Sequence, residues 1–188
     1  MNIQGKYVKL RAIEAEDLKL LHKWSNDPEI NYVLGGWHFP SSMQDQMKWF
    51  SNQSLSSNSQ RFSIETEDLG LIGMANITDI NWKDRNAIHG MLLGDKETRG
   101  KGYGVDTIMS VMRYAFEELG LERLDTTIIE YNTPSINVYT KKCGWTIEGI
   151  KKNYCFRKNK FWNMLVLGIH KDDYFELAET TKYWENVK

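Results

Sequence analysis

Between residues 87 and 119 the sequence leaves its backbone few choices. A strand-like run over 87–93 leads to the hexapeptide Arg99-Gly100-Lys101-Gly102-Tyr103-Gly104, and a helical pattern over 105–119 follows. Val105, Ile108, Met109, Met112, Ala115, Phe116 and Leu119 share one face at the helical period, and Gly120 then ends the pattern. Glycines in the loop permit positive φ and close approach to the backbone. A loop of this kind before a helix aims unpaired N–H groups and the positive end of the helix dipole at one point. Residues 99–104 are therefore expected to hold a phosphate or diphosphate.

Two familiar phosphate loops do not fit. A Walker loop needs Ser or Thr after its Lys, and Lys101 is followed by Gly102. A dinucleotide fingerprint needs Gly-x-Gly-x-x-Gly in a strand–helix–strand unit, whereas this loop reads Gly-x-Gly-x-Gly after an antiparallel-looking meander. On the hexapeptide alone, a plain turn between strand and helix remains open.

The rest of the chain alternates short elements. A strand is expected over 7–13, an amphipathic helix over 14–25 and a second helix over 43–50. Residues 51–60, rich in Ser, Asn and Gln, read as a mobile connection. A hairpin over 61–66 and 71–80 precedes the strand over 86–93. After the glycine loop and its helix come a strand over 124–130, then a helix with Thr133 as cap and Pro134 at its first position, ending near Cys143-Gly144. A hairpin over 145–156 and 161–170 closes the pattern. The expectation is α+β (mixed α/β), one domain over residues 1–188. A net charge of −1 argues against a nucleic-acid footprint, and no apolar run approaches a membrane span. Two cysteines, Cys143 and Cys155, make no disulfide framework, so a reducing, cytoplasmic setting is expected.

A second constellation lies about 30 residues beyond the loop: Asn132, Tyr139, Lys142, Gly144 and Trp145. With Arg99, Gly102 and Gly104, it resembles the GNAT superfamily of N-acetyltransferases. The loop fits that family's Arg/Gln-x-x-Gly-x-Gly/Ala motif. Trp145 stands where a Phe is usual. The closing hairpin, with Lys152-Asn153-Tyr154 and Asn163, is similar to the branch that acetylates ribosomal proteins, polyamines and nucleotide-linked amino sugars; that branch often has an acid where Asn163 stands. The resemblance implies a GNAT-like domain with a central, mostly antiparallel sheet of about seven strands flanked by helices, and acetyl-CoA as co-substrate. It implies that Gly100, Lys101, Gly102, Tyr103 and Gly104 hold the diphosphate beside Arg99. Met91, Leu92 and Leu93 would pair their backbone with the pantetheine amides, and Asn132 and Asn137 would hydrogen-bond the arm.

Tyr139 is the expected partner of the leaving thiolate. A thiol titrates near 8.5 and a tyrosine near 10, so full transfer from an ordinary Tyr is uphill by about 2 kcal/mol. Tyr139 must then have a lowered pKa or act as a hydrogen-bond donor. Glu130 and His89 are candidates for taking the amine's proton. No His, Asp, Glu or Cys spacing suggests a metal. The acceptor wall is expected within residues 26–50, which hold Trp37, His38, Phe39, Trp49 and Phe50 beside Asp27, Glu29 and Asp45; this mixture suits a cationic amine. The resemblance implies that the acceptor is a primary amine of a small molecule or a peptide N-terminus. The aromatic C-terminal segment from Tyr174 hints at a homodimer. A non-catalytic acyl-CoA sensor or scaffold is the alternative.

Overall fold

The computed structural model describes residues 2–36, 39–53 and 58–185. Among them eight strands form one sheet: β1 (Ile3–Gln4), β2 (Lys9–Arg11), β3 (Gln60–Thr66), β4 (Gly70–Asn81), β5 (Asn86–Leu93), β6 (Arg123–Ile129), β7 (Thr146–Arg157) and β8 (Lys160–His170). Their order is β1-β2-β3-β4-β5-β6-β8-β7. Every neighbouring pair is antiparallel except β5 and β6. The expected count of about seven strands is thus corrected to eight. The extra strand, β1, is two residues long and pairs Ile3 with Leu10 and Gln4 with Lys9. Two residues carry no readable period, so it left no signal.

Helices flank the sheet: α1 (Leu18–Ser25), α2 (Pro28–Val33), α3 (Met43–Ser51), α4 (Tyr103–Arg113), α5 (Thr133–Asn137) and α6 (Lys171–Thr180). Leu21, Trp24 and Ile30, from α1 and α2, pack against Leu71, Met74 and Leu92 of the sheet. The larger core joins Ile108, Met109, Val111 and Met112 of α4 to Ile64, Ile72, Ala75, Ile77, Leu124 and Leu167. Each such Ile, Leu or Met buried contributes roughly 1.5–3 kcal/mol of transfer free energy. In β4 a bulge shifts the register, since Ile64 faces Gly73 while Glu65 faces Leu71. The core positions accordingly switch from even (Ile72) to odd (Ala75, Ile77).

The glycine-loop helix is α only through Arg113 and continues as one π turn over Tyr114–Glu118, in which Leu119 N–H donates to Tyr114 O at 3.0 Å. Gly120, at φ +66°, stops it, with Leu121 N–H returning to Ala115 O at 2.9 Å. Two helices escaped the sequence reading. The first, α2, starts at Asp27, whose side chain accepts from Glu29 and Ile30 N–H ahead of Pro28. The second, α6, buries Tyr174, whose hydroxyl donates to Glu117 at 2.9 Å and accepts from Trp184 Nε1 at 2.9 Å. The aromatic C-terminal segment thus packs on its own chain through residue 185. A further correction concerns α5, whose cap is Asn132 and not Thr133; the Asn132 side chain accepts from Ser135 N–H.

Candidate active site

Strands β5 and β6 run parallel only over Asn86↔Arg123, Ala87↔Leu124 and Ile88↔Asp125. Beyond Ile88 the ladder ends while β5 continues to Leu93 and β6 to Ile129. The two strands part, and a cavity of about 470 Å³ opens in the gap. Its walls include His89, Gly90, Met91 and Leu92 from β5, Thr126, Thr127 and Ile128 from β6, and Asn132, Ser135 and Tyr139 from the segment after β6. One side of β5 there lacks a strand partner, so its backbone can pair with an extended, amide-bearing chain as another strand would.

The glycine loop sits where β5 gives way to α4. Gly100 and Gly102 lie at φ +74° and +87°, which only glycine adopts without strain. Gly102 caps α4, and Asp106 N–H is the first to close onto the helix, 3.0 Å from Gly102 O. The N–H groups of Tyr103, Gly104 and Val105 precede that bond and face out of the helix end. No atom lies within 4 Å of a Cβ built at Gly100, and at Gly102 the nearest is Tyr7 Cε2 at 3.9 Å. The turn is open, with Arg99 and Lys101 exposed beside it. This is the geometry of an anion site.

Asp106, which sequence reasoning passed over, is fully buried in the first turn of α4. Its carboxylate accepts from Lys6 N–H at 3.0 Å, Tyr7 N–H at 2.7 Å, Val8 N–H at 2.9 Å and Tyr183 O–H at 3.0 Å. It ties the N-terminal turn and the C-terminal segment to the base of the loop. The signal that existed was its acid in the first helical turn.

Tyr139 is 4% exposed and its ring meets Trp145 edge-on at 5.1 Å and His89 at 5.9 Å. Burial pushes its pKa above the ordinary tyrosine value, with Cys143 adding in the same direction and a hydrogen bond with Thr126 opposing it. The option of a lowered Tyr139 pKa is therefore overturned. The phenol stays protonated, a hydrogen-bond donor at the cavity wall. His89 is 1% exposed; its Nδ1 lies 2.8 Å from Asn76 O, and Nε2 has no partner. Burial lowers its pKa to about 4 against the opposing bond to Asn76, so the ring is neutral at pH 7. Glu130 is not on the cavity wall; it accepts from Asn163 N–H at 2.7 Å and Asn163 Nδ2 at 3.0 Å.

Of the residues expected to bind the co-substrate, Met91, Leu92 and Asn132 meet Tyr139 in the cavity wall. Asn132 also donates through Nδ2 to Val33 O at 3.3 Å, which ties α5 to the end of α2. Leu93 packs into the core beside Gly104, Asn137 is exposed away from the wall, and the loop from Arg99 to Gly104 forms a separate, open station. Val33, Leu34, Gly35 and Gly36, within the 26–50 span expected to shape the acceptor pocket, line the cavity, as do Tyr154 and Met164. The described members of the aromatic and acidic set expected there are placed elsewhere. Trp49 packs on the Leu21–Trp24–Ile30 cluster, Phe39 is exposed and Phe50 is half-buried off the wall. Asp27 caps α2, Glu29 pairs with Lys96 at 2.6 Å, and Asp45 closes a capping box with Ser42. Trp37 and His38 lie outside the described residues.

A splayed parallel strand pair, an open turn at the start of the next helix and a buried phenol make up the candidate site. A family model described as an acetyltransferase (GNAT) domain matches residues 8–146. The chain is 32% identical over 174 residues to the SPbeta prophage-derived uncharacterized N-acetyltransferase YokL of Bacillus subtilis, spanning 92% of this chain and 94% of that one. It is 25% identical over 172 residues to a spermidine N(1)-acetyltransferase of Vibrio cholerae, spanning 90% and 96%. The crystal structure of spermidine N-acetyltransferase from Vibrio cholerae in complex with CoA and spermine superposes with a TM-score of 0.83 at 22% identity, over 90% of this chain and 98% of that one. The chain belongs to the GNAT acetyltransferase family. It is an N-acetyltransferase that uses acetyl-CoA to acetylate amines. Among the described residues no helix is long and apolar enough to cross a membrane.

Proposed function

We propose that acetyl-CoA lies with its diphosphate on the N–H groups of residues 100–105, flanked by Arg99 and Lys101, and with its pantetheine arm along the unpaired side of Met91 and Leu92. This brings the thioester into the cavity beside Tyr139. The acceptor, a primary amine of a small molecule or a peptide N-terminus, enters past residues 33–36. Its nitrogen attacks the thioester carbonyl; the N–C bond forms, the C–S bond breaks, and β5 N–H groups stabilise the oxyanion between these events. Tyr139 donates a hydrogen bond to the departing sulfur. Its raised pKa supports that role, because full proton transfer from a buried phenol to a thiolate is uphill by more than about 2 kcal/mol. The ammonium proton leaves through water along Asn76, Thr78 and Thr127. His89, with its pKa near 4, is a hydrogen-bond acceptor and not a stoichiometric base, and Glu130 is held by Asn163.

The observation that carries this reading is the shared wall of Tyr139 with Met91, Leu92 and Asn132, next to an unobstructed turn. The test is Tyr139→Phe. Losing a donor to developing charge is expected to lower kcat about 10–100-fold, with KM for acetyl-CoA changed less than about twofold. An unchanged kcat removes Tyr139 from the mechanism. No binding heat with acetyl-CoA removes the whole assignment.

A further inference from the structure

The acceptor end of the cavity has an unusual charge balance. No wall residue is an Asp or Glu. The residues outside the described set, 1, 37–38, 54–57 and 186–188, include no Asp or Glu either. Asp27, Glu29 and Asp45, the nearest acids in sequence to the acceptor wall, are engaged in two helix caps and an ion pair with Lys96. Glu130 is held by Asn163.

Cations gather at the same end. Between Glu148 and Asp172 there is no acid, and the β7–β8 hairpin within that stretch contains Lys151, Lys152, Arg157, Lys158 and Lys160. Several touch the wall or its immediate support. Lys151 Nζ stands 4.9 Å from the ring centre of Tyr154, a wall residue. Lys158 Nζ stands 4.3 Å from the ring of Tyr32, one residue before the wall, and that ring stacks on Tyr131 at 4.6 Å. Arg157 Nη2 donates to the carbonyl of Leu34, another wall residue, at 3.4 Å. Among the described residues neither Lys151 nor Lys158 has a carboxylate within ion-pair distance.

A polyamine arriving here carries further ammonium groups into a cavity without a counter-charge, past lysines that repel it. An amine that also bears an anion meets the opposite situation: the anion stays outside the wall beside Lys151 and Lys158 while the amine reaches the thioester. Resting on the proposed orientation of acetyl-CoA and acceptor, we propose that the acceptor is an amine tethered to a phosphate or carboxylate, held outside the wall by Lys151 and Lys158, and not a polycationic amine. The enzyme thus departs in acceptor chemistry from the spermidine acetyltransferases it is similar to.

The test compares matched acceptors at saturating acetyl-CoA, following thiol release and product mass. Phosphoethanolamine against ethanolamine and glucosamine 6-phosphate against glucosamine test phosphate; β-alanine against its amide tests carboxylate; spermidine is the polycation. The double variant Lys151→Glu/Lys158→Glu is measured alongside. Either the phosphate or the carboxylate arm is expected to exceed its neutral partner at least tenfold in kcat/KM, with spermidine below both. The double variant should abolish that preference while leaving KM for acetyl-CoA unchanged. The proposal is overturned if spermidine or the neutral amines are best, if the preference survives charge reversal, or if no anionic acceptor reacts although calorimetry shows acetyl-CoA bound. Absence of acetyl-CoA binding instead fails the proposed function, and this inference with it.

Discussion

Acidification from pH 7.5 to pH 5 is expected to destabilise the protein through His89. The ring is 1% exposed, bonded through Nδ1 to Asn76 O at 2.8 Å and without a partner at Nε2, so the folded chain disfavours its charged form. Burial brings its pKa from 6.5 to about 4. Above pH 7 both folded and unfolded chains hold the ring neutral, and no penalty exists. Between pH 6.5 and 4 only the unfolded chain takes the proton, so stability falls as pH falls; below 4 both are protonated and the loss levels off. A shift from 6.5 to about 4 at 1.36 kcal/mol per unit gives a full loss of about 3 kcal/mol, of which about 2 kcal/mol is present at pH 5. Against a typical stability of 5–15 kcal/mol this is a large fraction.

Urea unfolding followed by tryptophan fluorescence at pH 7.5, 6 and 5, on the native chain and on His89→Phe, isolates the effect. Carboxylates that titrate alike in both chains cancel in the difference. The variant loses the bond to Asn76 at every pH, so it starts less stable, and its disadvantage should shrink by about 2 kcal/mol on reaching pH 5. Parallel pH curves for the two chains refute the reasoning. If His89→Phe does not fold, the His89 ring titrated by NMR decides it directly, and a midpoint above pH 6 gives the same refutation.

Other perturbations probe the loop and its support. Gly102→Ala finds open space for its methyl group but is strained at φ +87° by about 1–2 kcal/mol; the free turn relaxes and pays that cost when the ligand re-forms it, so acetyl-CoA affinity by calorimetry should fall roughly 5–30-fold with little change in Tm. Asp106→Ala strands three backbone N–H groups and the Tyr183 hydroxyl. A loss of about 3 kcal/mol or more in urea unfolding is expected, with faster amide exchange at residues 6–8; protected amides there would contradict the assigned role.

What the sequence disclosed follows from the range of the interactions involved. The helix after the glycine loop, the strand over 86–93 and the closing hairpin were all readable, because each is set by a local period and marked by Gly120, Gly144 or Lys158-Asn159 at positive φ. The glycine turn before α4 was readable for the same reason. The parting of β5 from β6 was not, since it depends on a register between residues far apart in the chain. Of the span 26–50 expected to shape the acceptor pocket, residues 33–36 line the cavity, but Phe39, Trp49, Phe50 and the acids picked out beside them do not. Asp27 and Asp45 were noticed as acids near aromatics, but each precedes a helix and is satisfied by its backbone N–H groups, a local demand that outweighs any pocket. Residues 33–36, which do build the wall, are unremarkable in type and matter because Asn132 and Arg157 tether them.

Burial acts on Tyr139 and His89 in opposite senses chemically but to one end. Tyr139 is held protonated and His89 unprotonated, so neither changes charge near neutrality, and among the described residues the cavity wall has no other titratable group except the exposed Tyr154. The proton that must move is the acceptor's own. The pH dependence of kcat/KM should then report the amine's pKa and not one of the enzyme's. With acceptors whose amines titrate about two units apart, the inflection in log kcat/KM should shift by the same two units, at unit slope below it. An inflection that stays fixed between pH 6 and 9 whatever the amine would place an ionising enzyme group in the reaction, and the assignment of His89 as a neutral acceptor would fall.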